Sequence, residues 1–232
     1  MQIGILLSAD KFREETVILG DLVDFIEVIL SGKEDVSIFH GSRYKLLAHL
    51  DELDRMCFES LELAEDLGIT KAVIHFFTRG QITFDEKIAT LSRLYKKAVE
   101  YRVTLCLENT EESISVLKSV FERIPGLKFC LDVGHANLFS NNPVNFIGAF
   151  SDRLEHVHIS DNRGGNSEED DLHLPPGEGT IDFQRIFSEL KAKNYDKTMT
   201  LELHPRFNVN TKVGSLRRLK TRIDPISAFL QA

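Results

Sequence analysis

The chain has 232 residues, of which 42% are hydrophobic, and this length and composition fit one globular domain with a sizeable core. Its formal net charge of -8 disfavours loose electrostatic binding to nucleic acid or to an anionic membrane and weakly favours a small-molecule substrate. No apolar run approaches the roughly 18 to 20 residues that a membrane span needs. We therefore predict a single domain over residues 1–232 that does not enter a membrane.

The N-terminus and the cysteines indicate the compartment. Residues 1–8 lack the basic region of a signal peptide and are typical of a first strand. The cysteines are odd in number and widely spaced, and two of them lie in apolar runs, where cysteine behaves as a small hydrophobic residue. They are Cys57, Cys106 and Cys130. We expect reduced thiols and a cytoplasmic location.

Short apolar runs alternate with amphipathic stretches along the chain, which is typical of βα units around a parallel sheet. The predicted strands are residues 2–7, 23–30, 36–40, 71–77, 103–108, 127–132, 155–160 and 198–203. The predicted helices are residues 12–20, 44–67, 84–101, 112–124 and 213–229, with two more that begin at Pro143 and near Asp182. Eight strands in one domain predict a (β/α)8 TIM barrel, whose sites lie at the carboxyl ends of the strands.

The second and third predicted strands are separated only by residues 31–35. A crossover helix normally takes a dozen residues or more, so this gap cannot contain one. Either the barrel lacks the helix between strands two and three, or one of these two strands is assigned wrongly. We predict an α/β fold, a single-domain (β/α)8 barrel without that helix.

Acidic and imidazole side chains recur where the predicted strands end. Burying such groups costs several kcal/mol unless they are paired, and a divalent cation would pair with both kinds at once. A lone histidine at a strand end is more often a satisfied polar group than a ligand, but the conjunction favours a metal such as Zn or Mn bound by nitrogen and oxygen. The set is His40, His75, Glu108, Asp132, His135, His158, Asp171, His173 and Glu202.

Five segments resemble one family in order along the chain, from about residue 36 to the C-terminus: Leu107-Glu108-Asn109, Asp132-Val133-Gly134-His135-Ala136, His156-Val157-His158-Ile159-Ser160-Asp161, His173-Leu174-Pro175-Pro176-Gly177-Glu178-Gly179 and Leu201-Glu202. The family is the xylose isomerase-like barrel superfamily, which holds sugar isomerases and epimerases and also the endonuclease IV type of apurinic endonuclease. The resemblance implies one metal held by Glu108, Asp132, His158 and Glu202. In the endonuclease branch, additional metals are held by residues that match His40, His75, His135, Asp171 and His173.

Two functions follow from the resemblance. In an isomerase or epimerase of a sugar or sugar phosphate, one Zn, Mn or Mg ion polarises the substrate oxygens while Glu108 and Glu202 move a proton to and from carbon. His135 would bind a substrate oxygen, and Arg163 a hydroxyl or a phosphate. In an endonuclease, two or three zinc ions cut a phosphodiester at an abasic site.

The complete ligand set favours the endonuclease, but two other features favour the sugar enzyme. The segments after strand two and after His40 are too short to wedge into a duplex, and basic residues for phosphate contacts at the mouth are few. These are Arg43, Lys45, Arg79, Arg163 and Arg206. We predict a sugar substrate ahead of nucleic acid, with one metal ion expected and three as the upper limit; the sequence makes no prediction about the number of subunits.

Four other polar residues have simpler interpretations. His49 is predicted to lie on a helix without a role, and Glu27 is either a substrate contact or a buried acid paired with Arg or Lys. His156 shares the strand face of His158 and is expected to support it. His204 either supports the site or has no role in it.

Overall fold

The computed structural model describes residues 1–50, 52–77, 82–138 and 142–230. Eight parallel strands pair in chain order, and β8 pairs with β1, so that the sheet closes into a barrel. This confirms the predicted fold. The strands are β1 (Gln2–Leu7), β2 (Phe25–Leu30), β3 (Lys45–Leu50), β4 (Lys71–His75), β5 (Thr104–Glu108), β6 (Lys128–Asp132), β7 (Leu154–Ile159) and β8 (Thr198–Leu201).

Seven α-helices cover the barrel within the described residues: α1 (Ala9–Leu19), α2 (Met56–Asp66), α3 (Phe84–Glu100), α4 (Ile114–Arg123), α5 (Pro143–Phe150), α6 (Phe183–Ala192) and α7 (Val209–Leu230). Local sequence sets several of their starts. Thr83 and Glu86 form a capping box before α3, and the Asp182 side chain accepts a hydrogen bond from the Arg185 amide at the start of α6, as predicted for this N-cap. None of these described helices combines the length and hydropathy of a membrane span.

The third strand differs from its prediction. The expected strand at residues 36–40 is a 3-10 turn followed by an irregular turn, and the expected helix at 44–67 is instead β3, a short connection and α2. Residues 45–50 pair with the whole of β2, from Phe25 opposite Lys45 to Leu30 opposite Leu50. A short apolar run is compatible with either a buried helix or a buried strand, and here pairing with β2 outweighs the helical spacing of its leucines.

The connection from β2 to β3 runs from residue 31 to residue 44, and all of these residues are described. It contains one 3-10 turn, Val36–Ile38, and no α-helix. The prediction that the barrel lacks a helix between strands two and three is therefore confirmed, although the third strand begins at Lys45 and not at residue 36.

The three cysteines lie in the core, and none exposes any surface. Burial raises the pKa of the Cys57 and Cys106 thiols to about 12 in each case, so the reactive thiolate is scarce near neutral pH. We expect a thiol reagent such as Ellman's reagent to leave the native protein unmodified at neutral pH and to react with three thiols after denaturation. Rapid modification of any thiol in the native protein would contradict this burial.

Candidate metal centre at the carboxyl ends of the strands

The last strands of the barrel bring four predicted ligands to one place. Glu108 and Asp132 are the last residues of β5 and β6, His158 is next to last in β7, and Glu202 directly follows β8. Asp132 lies opposite His158 in the sheet register. Because parallel strands end at the same rim of a barrel, the four side chains share one volume. Glu108, Asp132 and His158 are fully buried, and the Glu202 side chain is 14% exposed.

His158 is at the centre of this group. Its Nδ1 atom lies 2.8 Å from Glu202 Oε2, 3.3 Å from Glu108 Oε2 and 3.9 Å from Asp132 Oδ2. Three carboxylates therefore converge on the same ring nitrogen. This is the geometry of donor atoms that surround a common point.

A second group adjoins the first. His75 Nε2 lies 3.2 Å from Glu108 Oε2, and His135 Nδ1 lies 3.2 Å from Glu108 Oε1. Asp171 Oδ2 bridges two imidazoles, at 3.1 Å from His135 Nε2 and 3.0 Å from His173 Nε2. The structure therefore brings His75, His135, Asp171 and His173 together with the four central residues.

The loop after β7 reaches this position because Asp161 anchors it. The Asp161 backbone exchanges hydrogen bonds with Leu174, and the Asp161 carboxylate accepts from the Gly177 and Gly179 amides at 2.8 and 2.9 Å. A Cβ on Gly179 would lie 2.1 Å from the Asn162 carbonyl oxygen, so only glycine fits there. His173 adopts a left-handed backbone with φ of 40°, a strained state of the kind that occurs at functional sites.

His40 does not belong to the centre. It is exposed in the turn before β3 and borders a cavity formed with residues 66–70, which lead into β4 at the amino end of the barrel. The predicted placement of His40 at the mouth is therefore wrong, because it depended on a strand at residues 36–40.

His49 occupies the place that was expected for His40. It is next to last in β3, its side chain is 9% exposed, and its Nε2 lies 3.3 Å from Glu108 Oε2. Its ring stacks on that of His158, with 5.4 Å between centroids. The prediction that His49 lies on a helix was wrong; assigning residues 45–50 to a strand would have placed it at the mouth.

Among the described residues, neither Arg163 nor His204 makes a side-chain contact with the donor atoms of the centre. Arg163 is exposed on the loop after β7 and makes no hydrogen bond or ion pair with any described residue. His204 is exposed and donates its backbone N–H to the His173 carbonyl, so it supports the loop and not the centre itself. Arg79 lies outside the described residues.

Glu27 supports the centre from below. This carboxylate is fully buried on β2 and accepts hydrogen bonds from His156 Nε2 at 2.9 Å, His158 Nε2 at 3.1 Å and Thr200 Oγ1 at 2.6 Å. It is thus a buried acid, but its partners are histidines and not Arg or Lys. A neutral His158 that donates its Nε2 proton to Glu27 keeps its lone pair on Nδ1, which faces the other carboxylates.

The acids and imidazoles stabilise each other's charged forms. Burial alone would raise the pKa of Glu108, yet His158 and His75 hold that pKa well below its usual range. Burial raises the pKa of Asp132 to about 6. Burial would lower the pKa of His173, but the neighbouring Glu202 and Asp171 raise it to about 9.

Whether a metal fits this centre can be judged from the buried donor atoms that have no hydrogen-bond partner. Buried polar atoms normally have a hydrogen-bond partner, and each one without a partner costs about 1–3 kcal/mol. His158 Nδ1 and Glu202 Oε2 approach to 2.8 Å without hydrogen-bonding geometry. The buried atoms of the centre that lack a hydrogen-bond partner among the described residues are Glu108 Oε1, Asp132 Oδ2, His158 Nδ1, Glu202 Oε2, His49 Nε2, Asp171 Oδ1 and His173 Nδ1.

Glu108, Asp132, His158 and Glu202 each contribute one of these buried atoms without a hydrogen-bond partner. In three overlapping groups, one donor atom from each residue lies within 4.8 Å of the others: His49, Glu108, His158 and Glu202; Glu108, Asp132 and His135; His135, Asp171 and His173. A divalent cation accepts donors of this kind, and the nitrogen and oxygen set suits Zn or Mn. The residues therefore fit a metal centre.

A comparison with models of protein families matches the part of the chain that carries the candidate centre. A family model described as "Xylose isomerase-like TIM barrel" matches residues 40–220. The match covers more than half of the chain and includes every residue of the candidate centre except the supporting Glu27.

Relatives in sequence cover different shares of the chain. The protein MJ1614 of Methanocaldococcus jannaschii, described as uncharacterized, is 33% identical over 86% of this chain and 90% of its own length. MJ1311 of the same organism is 31% identical over 62% of this chain, which spans only 50% of that protein. A probable endonuclease 4 of Mycobacterium tuberculosis is 28% identical over 58% of each chain.

Solved structures share the fold over nearly the whole chain. A D-tagatose 3-epimerase-like protein superposes with a TM-score of 0.80 at 21% identity and covers 99% of this chain and 100% of its own. The TTHB071 protein of Thermus thermophilus, soaked with ZnCl2, superposes with a TM-score of 0.73 at 25% identity and covers 95% of this chain and 98% of its own.

Proposed function

The chain belongs to the xylose isomerase-like TIM-barrel family, and we propose that it is a divalent-metal-dependent isomerase or epimerase of a sugar. One observation carries the proposal. Glu108 ends β5, Asp132 ends β6, His158 is next to last in β7, and Glu202 follows β8. At the barrel mouth, each of these four residues has a buried donor atom without a hydrogen-bond partner among the described residues. A sugar enzyme of this fold needs that one metal and a pair of acids for proton transfer.

We assign the first ion to Glu108, Asp132, His158 and Glu202. When bound, a divalent ion supplies Lewis acidity to adjacent carbonyl and hydroxyl oxygens of a sugar. Zn or Mn suits the donor set, and Mg is the third candidate because three of the four ligands are carboxylates. The zinc-soaked structure of a 25% identical protein with the same fold makes zinc the first metal to test.

Proton transfer falls to Glu108 and Glu202. They approach His158 Nδ1 from different strands, β5 and the end of β8, and so lie on different sides of the proposed centre. Glu202 also lines an adjoining cavity, which gives it access to a substrate carbon. One carboxylate removes a proton from the carbon next to the carbonyl, and the other returns a proton to the substrate.

Two further residues are proposed to bind substrate. His135 lines a cavity together with Phe77 and Asp171, and Asp171 orients its ring through Nε2. The other ring nitrogen, Nδ1, contacts the Asn109 carbonyl at 3.0 Å, so His135 would bind a substrate oxygen through Nε2 by sharing or exchanging its bond to Asp171. Arg163 is exposed and without a partner among the described residues, so its guanidinium is available for a hydroxyl or a phosphate.

A second candidate is a phosphodiester hydrolase of the endonuclease IV type acting on abasic DNA. The observation that favours it is the group His135, Asp171 and His173, which would form a further metal position and has unpartnered Asp171 Oδ1 and His173 Nδ1 atoms. With it the centre would hold up to three ions. The 28% identical relative named as a probable endonuclease 4 also supports this candidate.

The scarcity of positive charge places the hydrolase second to the sugar isomerase or epimerase. Arg43 and Lys45, expected at the mouth, lie before and at the start of β3, at the amino end of the barrel, and Arg43 pairs with Asp21 at 3.2 Å. Of the cations expected at the mouth, only Arg163 and Arg206 remain there among the described residues, and the net charge of the chain is -8. The connection after β2, residues 31–44, is longer than predicted, so its length no longer argues against DNA.

The test is a parallel assay of the protein reconstituted with Zn or Mn, with its metal content measured beforehand. Ketoses and their phosphates are incubated in deuterated water beside an abasic-site duplex at low salt. We expect sugar turnover with deuterium incorporation at carbon, one ion per chain and no specific incision. Rapid, specific incision with no reaction of any sugar would promote the hydrolase to first place.

The role of Glu27 gives a separate prediction. Replacing Glu27 with Gln removes the charged acceptor that orients His158, and partners of this kind typically change metal affinity about 10–100-fold. We expect weaker zinc binding in that range by competition with a chromophoric chelator. Thr200→Val is the control, because it removes the Thr200 hydroxyl from Glu27 and His156 but leaves the contacts of Glu27 with His156 and His158 in place. Equal zinc affinity in the wild type and Glu27→Gln would refute the orienting role.

A further inference from the structure

A cavity of about 360 Å³ opens beside the proposed centre, between the ends of β1 and β8 and the helices α1 and α7. Glu202 and His173 form its wall on the side of the centre, while Glu15 and Lys212 line it on the side of the helices. Its volume lies within the range of small-molecule sites, roughly 300–1,000 Å³. A molecule bound in this cavity would contact the proposed proton-transfer residue Glu202 directly.

A buried ion pair joins the two helices at this cavity. Lys212 Nζ lies 2.7 Å from Glu15 Oε2, and each side chain is 7% exposed. The ammonium has three protons and the carboxylate has two oxygens, yet the hydrogen bonds within the described residues use only one of each. A buried pair is favourable only when its remaining donors and acceptors are also satisfied. Groups that both donate and accept would satisfy them, and hydroxyl groups do both.

The other walls of the cavity are mainly apolar. Leu6, Ile29 and Leu203 line it, and Ile29 exposes 37% of its surface. An ion pair at one side and aliphatic surface around it match a molecule that carries hydroxyls on a carbon chain, because its C–H groups pack on the walls while its hydroxyls bind the pair.

The charge of the cavity argues against a phosphate. Three cationic side chains line it, Lys11, Lys212 and His173, and three carboxylates oppose them, Asp10, Glu15 and Glu202. Glu15 already pairs with Lys212, so the lining has no surplus of positive charge. Among the described residues that line the cavity, there is no arginine, the residue best suited to grip a phosphate in a bidentate manner. A phosphate dianion would therefore lose its hydration without finding a surplus of positive charge in this lining.

We propose that this cavity binds the neutral, polyhydroxylated end of the substrate through the Glu15–Lys212 pair, and that the substrate is therefore an unphosphorylated sugar. The inference rests on the proposed function and narrows its substrate class. In this arrangement the carbonyl end of the sugar lies at the proposed metal, and its distal hydroxyls extend toward α1 and α7.

The first arm of the test uses the wild-type holoenzyme, so it does not depend on the folding of any variant. Binding of neutral ketohexoses and of their 6-phosphates is measured by saturation-transfer NMR, and turnover of both is measured in parallel. We expect binding of the neutral sugars and a kcat/KM at least about tenfold above that of the phosphates.

The second arm uses Lys212→Met, which keeps the length of the side chain but removes its donors. We expect KM for the neutral sugar to rise roughly ten- to hundredfold with a smaller change in kcat. Lys220→Met is the matched control, the same substitution in α7 at a residue that does not line the cavity. The double variant Glu15→Gln/Lys212→Gln replaces the charged pair with a neutral one, and it must also raise KM if Lys212→Met is too unstable to assay.

The outcomes separate this inference from the proposed function. Preference for the phosphates, or an unchanged KM in the folded variants, would overturn the cavity assignment and leave the isomerase intact. Binding of neutral sugars that is lost in the variants, without turnover of any sugar by the wild type, would support the cavity and overturn the isomerase. Absence of binding by either class of sugar would overturn both.

Discussion

Replacing Asp132 with Ala is expected to release the metal and to lower turnover by at least about a hundredfold. Asp132 is fully buried at the end of β6, and its Oδ2 atom has no hydrogen-bond partner among the described residues. Its Oδ1 atom accepts the His135 backbone N–H at 2.6 Å, so the side chain also fixes the turn that carries His135. Removing the carboxylate takes one ligand and disturbs the approach of a neighbouring imidazole.

Metal content after purification, measured by mass spectrometry, is the readout for this variant. Asp132→Asn separates the two roles, because its amide oxygen can still accept from the His135 N–H while its charge is lost. Asp152→Ala, at an exposed turn residue, is the matched control and should retain full occupancy. Full metal occupancy in Asp132→Ala would refute the assignment of Asp132 as a ligand.

Replacing Glu202 with Gln is expected to reduce proton transfer to carbon about 10²–10⁴-fold. The amide keeps an oxygen where the carboxylate oxygen approaches His158 Nδ1, but it cannot accept a proton from carbon. Metal occupancy should therefore fall less than activity. This separation distinguishes a residue that transfers protons from one that only binds the ion.

The measurement is deuterium incorporation into the sugar, together with kcat and metal content for each variant. Glu178→Gln, on the exposed part of the loop after β7, should behave as the wild type does. If Glu202→Gln retained the wild-type exchange rate with normal metal occupancy, another residue would have to move the proton.

The positions of Glu108, Asp132 and His158 could be predicted from sequence because each residue lies at the carboxyl end of a strand that the sequence pattern identifies clearly. Glu108 and Asp132 each close a five-residue strand with an apolar middle, and His158 is next to last in the six-residue β7. In a parallel barrel, such runs can only be buried strands, and their polar ends can only meet at one rim. The register between strands was not needed for this inference.

The segment from residue 31 to residue 67 could not be assigned in the same way. The leucines of β3 continue into α2 with a spacing that a single helix would also satisfy, and only the pairing with β2 decides between them. Strand pairing is a long-range interaction that the local sequence does not show. The sequence therefore did not predict that His49 lies at the barrel mouth, and it predicted His40 there instead.

The partners of Glu27 were hidden for a related reason. His156 and His158 lie on β7, and they reach β2 only across the interior of the closed barrel. Local periodicity tells which face a side chain occupies, but it does not tell which opposite strand that face meets. The sequence therefore left Glu27 open between a substrate contact and a buried acid, and it could not name the histidines that pair with this acid.

The pairing of β8 with β1 has a consequence for folding. Gln2 lies opposite Thr198, so the last strand must return to the first across almost the whole chain before the sheet closes. Such distant pairing is slow, because loop-closure entropy is lost before the contacts form. Glu202 follows β8, so the proposed ligand set is complete only in the closed barrel. An ion that binds the complete set would therefore slow the opening of the β1–β8 seam, and hydrogen exchange at that seam would report its occupancy.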